Sequence, residues 1–223
     1  EALLIGGALV DGGYLSNAVC AASSHFSTAE RQYRFPLEMG CQRPPSSQWT
    51  VTASGSMLLD GEDRDSLAVL THGTMGRVVD YQITDANHMG AAMALSAYET
   101  LQTYFQDTKT GPTDYDLIVT GDLGKVGHQI VLDLFQRDGV DMRPTYDDCG
   151  LLLYDGTQDV HSGGSGCGCS AAVLCSYLLK ALEQKIFRKV LFCGTGALLS
   201  PTSSNQGQSI PGICHLVCLE ADV

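Results

Sequence analysis

The chain has 223 residues, of which 44% are hydrophobic, enough to bury the core of one large domain or two small ones. Its formal net charge of −12, from 25 acidic and 13 basic residues, disfavours nucleic acid and anionic lipid surfaces as partners. No apolar run approaches the roughly 20 residues that cross a bilayer, so any membrane association is expected to be peripheral. Nine cysteines, many of them in apolar runs, favour a reducing compartment.

The first third of the chain predicts one helix followed by strands. Residues 2–10 form an apolar run with small residues and are predicted as a buried helix that ends at an Asp-Gly-Gly turn. Residues 17–23 predict a short buried strand. Residues 50–59 and 67–81 predict two further strands, which we expect to pair as antiparallel neighbours.

A segment rich in aromatic and basic residues separates the first strand from the second. Residues 24–47 carry this composition and end in a loop that contains proline. Such a segment is expected to form a surface or dimer-contact loop, with a substrate lid as the weaker alternative. Because Glu1 is not a methionine and the helical pattern begins at once, we also expect the chain to be a fragment without its N-terminal portion.

Strands and helices alternate in the remainder of the chain. Residues 90–106 and 127–137 predict helices, and residues 115–122, 189–193 and 210–220 predict strands. A shift of 171 positions superposes the first helix and strand on a later helix and strand, which suggests an internal duplication. The pattern predicts an α/β architecture with a sheet covered on both faces.

A glycine-rich stretch, residues 163–170 with the sequence GGSGCGCS, leads into a predicted helix over residues 171–182. Free N–H groups and the helix dipole at such a junction would stabilise a carboxylate, a phosphate or a developing oxyanion. The alternative is a tight turn whose glycines only allow close packing. A zinc site of Cys167 and Cys169 with Cys149 or His161 is disfavoured, since no second CxxC or HxxxH pair exists.

Several longer strings resemble the thiolase superfamily, which includes the ketoacyl synthases, and within it a family of stage V sporulation proteins. The strings are ASSH at 22–25, GRVVD at 76–80, YDLIVTGDL at 115–123, DCG at 148–150, GGSGCGCSA at 163–171 and TGALLSPT at 195–202. The resemblance implies a thiolase-like layered α-β-α-β-α fold whose first half is incomplete in this chain. Residues 1–85 would be the remainder of the N-terminal half, and residues 86–223 the C-terminal half.

The same resemblance implies that most catalytic positions of a thiolase are altered. The nucleophilic cysteine of the family would lie just upstream of Glu1. The loop after the 115–122 strand should supply a histidine or its equivalent but reads TGDL, and His128 follows a helical turn or more later. The glycine loop should supply another such residue and has Ser165, Gly166 and Cys167 instead. Catalysis is therefore disfavoured; a thiolase-type or ketoacyl-synthase-type acyltransferase with its nucleophile upstream is the alternative.

As function, the resemblance implies binding of dipicolinic acid within a complex that moves it across the spore inner membrane. It also implies membrane-embedded stage V sporulation proteins as partners, a homodimer, and a location peripheral to that membrane. We expect no cofactor, except that Ca²⁺ could enter with the ligand and be bound by aspartates. The candidate ligand-binding residues are Arg77, Asp80, Asp85, Asp122, Ser165, Gly166 and Cys167.

Several of these residues have a plain structural alternative. Arg77 would equally suit a surface ion pair, and Asp122 a helix N-cap. A structural dimer platform with an empty cleft is a third reading of the whole protein. Cys167 and Cys169 are predicted to have a lowered thiol pKa at a helix N-terminus. The histidines at 25, 88 and 161 are expected to form hydrogen bonds in loops, and His215 to lie in the core.

Overall fold

The structure, a computed structural model, describes residues 1–26, 44–62 and 66–222. Most of the predicted contact loop or lid of residues 24–47 lies outside these ranges, and its role stays a prediction. Among the described residues, no helix has both the length and the apolar character that a membrane span requires.

Seven α-helices are found in the described part of the chain, and a turn of π-helix links two of them. Their bounds are α1 (Ala2–Asp11), α2 (Met89–Thr108), α3 (Gly124–Arg137), α4 (Cys149–Leu152), α5 (Cys167–Val173), α6 (Leu179–Glu183) and α7 (Pro201–Asn205), with the π-turn at Leu174–Leu178 between α5 and α6. The predicted helices over 90–106 and 171–182 are confirmed. The predicted 127–137 helix begins three residues earlier, at Gly124, whose φ of +63° suits glycine.

The described strands form three sheets. Their bounds are β1 (Asn17–Ser24), β2 (Trp49–Thr50), β3 (Ala53–Asp60), β4 (Val69–Thr74), β5 (Leu117–Thr120), β6 (Tyr146–Asp148), β7 (Gly164–Ser165), β8 (Lys189–Ala197) and β9 (Gly212–Glu220). The largest sheet has the order β4-β9-β8-β5-β6, and β1-β3 and β2-β7 form two-stranded sheets. In the large sheet β5 is parallel to β6 and β8, whereas β9 is antiparallel to β4 and β8.

Both faces of the five-stranded sheet are buried at its central strands, as predicted, whereas the edge strand β4 is largely exposed. Successive residues of β5 show this, because Ile118 packs with α2 and α3 while Val119 packs with the helical segment from α5 to α6. The same alternation holds in β9, where Leu216 belongs to the first cluster and Val217 to the second. The central strands therefore read as nearly continuous apolar runs rather than as alternating ones.

The predicted pairing of the 50–59 and 67–81 strands is wrong. Residues of β3 pair with β1, from Asn17 opposite Asp60 to Ser24 opposite Ala53, and β4 pairs with β9 instead. Adjacency in sequence favoured the hairpin, but the backbone edge of β4 is paired with β9, near the end of the chain. The division of the protein at residue 85 stays a prediction; β4, which precedes it, lies in the five-stranded sheet.

The first helix and strand are less buried than their composition suggested. In α1 only Leu3 and Gly6 are buried, and in β1 only Cys20 and Ser24 are. A shift of 171 positions carries α1 to residues 173–182 and β1 to residues 188–195. The first range is helical and the second lies almost wholly in β8, so the helix–strand correspondence holds in the structure.

Candidate functional site

The loop after β5 and the end of β8 meet the glycine loop at the carboxylate of Asp122. Its Oδ1 accepts a hydrogen bond from Thr195 Oγ1 at 2.8 Å, and its Oδ2 accepts one from the Gly166 N–H at 2.9 Å. The Gln48 side-chain amide donates to the carbonyl oxygens of Asp122 at 2.7 Å and Gly164 at 3.1 Å. These bonds join four segments that are distant in sequence into one polar site, which we call the Asp122 site.

Behind this loop lies a fully buried carboxyl group, that of Asp148. It accepts hydrogen bonds from Thr120 Oγ1 at 2.7 Å and from the N–H groups of Leu123, Gly124 and Gly150 at 2.8 to 3.0 Å. Burial raises the pKa of Asp148 to about 7, although the bonds from Thr120 and the loop N–H groups favour the charged form. Because Asp148 holds the N–H groups of Leu123 and Gly124, it fixes the backbone of the loop that carries Asp122.

This raised pKa predicts a pH dependence of stability. The folded chain holds the Asp148 proton up to a pH of about 7, whereas the unfolded chain releases it near the ordinary value of 3.8. The folded state thus binds more protons in this window, and the contribution of this group to stability is lost as the pH rises from about 4 through 7. Urea unfolding should show the stability advantage of the native chain over Asp148→Asn shrinking across that range; a constant or growing advantage would contradict the shift.

The glycine loop turns sharply before α5. Gly166 has a φ of +107°, a conformation that side chains disfavour, and it is the N-cap of the helix. The next glycine, Gly168, donates its N–H to Ser24 Oγ at 2.8 Å. The N–H groups of Gly166 and Gly168 are therefore bonded within the chain, and the expectation that they are free is wrong. Only the folded chain shows this, because Asp122 and Ser24 are remote in sequence.

The start of α1 lies close to this site. A Cβ atom built on Gly194 would be 3.8 Å from the backbone nitrogen of Glu1 and 3.9 Å from the carbonyl oxygen of His215. The ring of His215 accepts a hydrogen bond at Nδ1 from the Gly76 N–H at 3.2 Å, and burial lowers the pKa of the ring. His215 was expected in the core but is only partly buried.

Three of the candidate ligand-binding residues lie in a different environment. Arg77 is 78% exposed and forms an ion pair with Glu99 of α2 at 2.6 Å, which is the structural alternative considered for it. Asp80 accepts hydrogen bonds from Ser209 Oγ at 2.6 Å and from a backbone N–H at 2.9 Å. Asp85 accepts one from the Asn87 N–H at 2.9 Å. Their contacts are with α2 and nearby loops rather than with the glycine loop.

Of the other four candidates, Asp122 and Gly166 are directly bonded and Ser165 and Cys167 flank Gly166. Ser165 is fully buried, and its strand β7 pairs with β2, whereas Cys167 is exposed. Asp122 is not the N-cap of α3, which begins after Leu123. Sequence reasoning missed Thr195 and Asp148 as parts of this site. The TGD sequence after β5 and the TG at the end of β8 were the available signals, since parallel strands end at one edge of a sheet.

The cysteines of the glycine loop do not behave alike. Cys169 is buried, and burial, together with the carboxylates of Asp122 and Asp148, raises its thiol pKa. The lowered pKa expected there is wrong for Cys169, because burial outweighs the helix dipole. Within the described ranges, one group of three side chains that could bind a metal ion converges, and it consists of His72, Cys218 and Glu220. The cysteines of the glycine loop are not part of it.

Two further histidines hold structural contacts. His161 Nδ1 lies 2.9 Å from the Pro44 carbonyl oxygen and 3.3 Å from Ser47 Oγ, as expected of a loop histidine. His128 of α3 stacks on Tyr146, with ring centroids 4.7 Å apart, and burial lowers its pKa. Neither is among the hydrogen-bonding partners of Asp122 given above.

The family model described as Stage V sporulation protein AD matches residues 1–220. The chain belongs to this family. It is 45% identical over 220 residues to the stage V sporulation protein AD of Bacillus subtilis (strain 168), an alignment that covers 99% of this chain and 64% of that protein. This member of the stage V sporulation protein AD family therefore spans less than two thirds of the length of that relative.

Solved structures confirm the thiolase-like fold of this stage V sporulation protein AD family member. The 3-oxoacyl-(acyl carrier protein) synthase III of Pseudomonas aeruginosa PAO1 aligns with a TM-score of 0.57 and 11% identity, over 100% of this chain and 64% of that one. The tetronic acid condensing enzyme AbyA1 aligns with a TM-score of 0.56 and 11% identity, over 98% and 64%. At this identity the likeness shows the fold alone.

Proposed function

We propose that this chain belongs to a non-catalytic thiolase-fold protein that binds dipicolinic acid as its calcium chelate. The family membership and the resemblance described above support dipicolinate as the ligand. The observation that supports this binding mode is the hydrogen bond from the Gly166 N–H of the glycine loop to the Asp122 carboxylate. This N–H group is therefore already paired within the chain. The Asp122 site thus presents a negative charge to a ligand instead of free donors.

Electrostatics favours the chelate over the free ligand. Dipicolinate is a dianion at neutral pH, and both the net charge of −12 and the Asp122 carboxylate oppose its entry. Calcium neutralises the two ligand carboxylates and accepts six to eight donor atoms, of which dipicolinate fills three. The remaining positions suit the Asp122 carboxylate, the Thr195 hydroxyl and water, all of which are oxygen donors.

The same carboxylate argues against acyl transfer. A thiolase-type reaction builds negative charge on a carbonyl oxygen, which needs donors or an acid beside it. The resemblance places the acid/base histidine of a thiolase in the loop after β5 and a second such residue in the glycine loop. In this chain the first loop has Gly121 and Asp122, and the glycine loop has Ser165. A carboxylate at this position would repel a developing oxyanion, so the Asp122 site favours binding over the acyltransferase alternative.

The wider role is proposed on the resemblance as well. It comprises membership of the spore inner-membrane complex that transports dipicolinate, membrane-embedded stage V sporulation proteins as partners, a homodimer, and a peripheral location at that membrane. An acidic chain does not suit direct attachment to anionic lipids, so association through partner proteins fits its charge better.

Titration calorimetry with dipicolinate, with and without Ca²⁺, tests the proposal. We expect saturable binding that requires Ca²⁺, no binding of isophthalate, which lacks the ring nitrogen, and at least about tenfold weaker binding by Asp122→Asn. Asp133→Asn, an exposed change on α3, is the matched control and should bind as the unchanged chain does.

The outcomes separate the alternatives. Equal binding without Ca²⁺, or unchanged binding by Asp122→Asn, would refute the chelate mode while leaving dipicolinate as ligand. Binding by the Bacillus subtilis relative but not by this chain would place essential walls in residues that this chain does not contain. The absence of heat with both proteins would leave the acyltransferase and the structural dimer platform, and an acyl-CoA hydrolysis assay would separate these two.

A further inference from the structure

A second group of chemically distinctive side chains lies where β4 meets β9. One donor atom each of His72, Cys218 and Glu220 falls within 4.8 Å of the other two. His72 is exposed, Glu220 is partly buried, and Cys218 is fully buried beneath them. The three atoms are a nitrogen, a sulfur and an oxygen, the set that zinc sites in proteins use.

An irregularity in the strand pairing creates this convergence. Leu70 pairs with Leu219 and His72 pairs with Cys218, so Thr71 is an extra residue on β4. Such a bulge re-aims the side chains beside it. Cys218 and Glu220 are two residues apart on β9 and therefore share a face of the strand, and the bulge places His72 beside both.

We propose that His72, Cys218 and Glu220 bind a thiophilic divalent cation, of which Zn²⁺ is the best match. Donor atoms of a tetrahedral zinc site lie about 3.6 Å apart, since the bonds measure about 2.0 to 2.3 Å. Contraction from 4.8 Å needs a side-chain shift of about 1 Å, which the exposed ring of His72 permits. The fourth position remains for water.

Among the neighbouring residues, one favours cation binding at this site and one opposes it. Thr71 Oγ1 donates to Glu220 Oε1 at 3.0 Å and contacts His72 Nδ1 at 3.1 Å, an outer contact that orients both ligands. The ammonium group of Lys189 lies 3.2 Å from Glu220 Oε1 and competes with a cation for that carboxylate. Its side chain is 31% exposed, lies over the Tyr115 ring and is long enough to move aside.

This cation site is separate from the Asp122 site. On β8, Lys189 pairs with Glu220, whereas Thr195 pairs with Cys214 six residues further along. Six strand residues span about 20 Å, so the two sites lie toward opposite ends of the sheet. Failure of dipicolinate binding would not affect the cation site, and the reverse also holds.

Cobalt titration of the reduced, chelator-treated chain tests this proposal, because Co²⁺ bound through a thiolate gives a sulfur-to-metal charge-transfer band. We expect one equivalent of Co²⁺ to bind with this band and Zn²⁺ to displace it. His72→Ala and Glu220→Gln, both at accessible positions, should weaken binding at least about tenfold. Cys218→Ser should abolish the band, and Cys167→Ser, a change of an exposed cysteine elsewhere, should not.

Lys189→Met supplies a test with the opposite sign. Removal of the competing ammonium group should tighten binding, a result that a merely structural role of these residues does not predict. No charge-transfer band in the unchanged chain, or a band that survives in both His72→Ala and Glu220→Gln, would overturn the proposal. If Cys218→Ser fails to fold, those two variants together with Lys189→Met decide the question.

Discussion

Replacement of Asp148 by alanine is expected to lower the free energy of unfolding by about 3 to 5 kcal/mol, measured by urea denaturation under reducing conditions. The buried carboxyl group accepts hydrogen bonds from Thr120 and from three backbone N–H groups. Alanine leaves all four donors buried without these bonds, and each unsatisfied donor costs about 1 to 3 kcal/mol before relaxation. The loop that carries Asp122 should loosen with it, so chelate binding should fall as well.

Two variants delimit this prediction. Asp141→Ala removes an exposed carboxylate that pairs with Arg143, and we expect a change below about 0.5 kcal/mol. Asp148→Asn keeps one acceptor oxygen but turns an NH₂ group toward the donors, so its loss should fall between the two. An Asp148→Ala chain as stable as Asp141→Ala would show that the hydrogen bonds of Asp148 do not hold the loop.

Gly168→Ala is expected to destabilise the chain by about 3 kcal/mol and to displace the start of α5. A Cβ atom at this position would overlap the Ala53 carbonyl oxygen and approach the Ser24 hydroxyl to 2.6 Å and the Ser24 backbone nitrogen to 2.8 Å. The Ala53 and Ser24 backbones belong to the paired strands β1 and β3, which cannot yield independently. The helix must therefore move, and the N–H bond from Gly168 to Ser24 Oγ should break.

The matched control is Gly156→Ala. Nothing lies within 4 Å of a Cβ atom at Gly156, and its φ is not positive. The change should therefore be neutral or slightly stabilising, by up to about 1 kcal/mol. Calorimetric melting of both variants, together with chelate titration, measures the difference. If the melting temperature of Gly168→Ala equals that of Gly156→Ala, the close packing of α5 against β1 and β3 is not the reason for glycine at position 168.

Local patterning was a good guide to the elements but not to their partners. The 3.6-residue period of 90–106 and the apolar run of 115–122 correctly gave α2 and β5. The antiparallel pairing of 50–59 with 67–81 failed because a strand pairs through backbone hydrogen bonds with the strand edge that lies beside it in the folded chain, and for β3 and β4 those edges belong to β1 and β9, not to each other. The same limit applies to burial, since α1 has an apolar sequence but is largely exposed.

By itself, the sequence determined the alternation of helices and strands, the glycine loop before α5 and the family to which the chain belongs, because these depend on short-range periodicity and on strings of residues. Only the tertiary structure decided which side chains share a site. Asp122 bonds to Gly166, 44 positions away, and to Thr195, 73 positions away. The sheet order fixes these contacts, and the extra residue in β4 fixes the meeting of His72 with Cys218 and Glu220; neither feature leaves a signature in the local sequence.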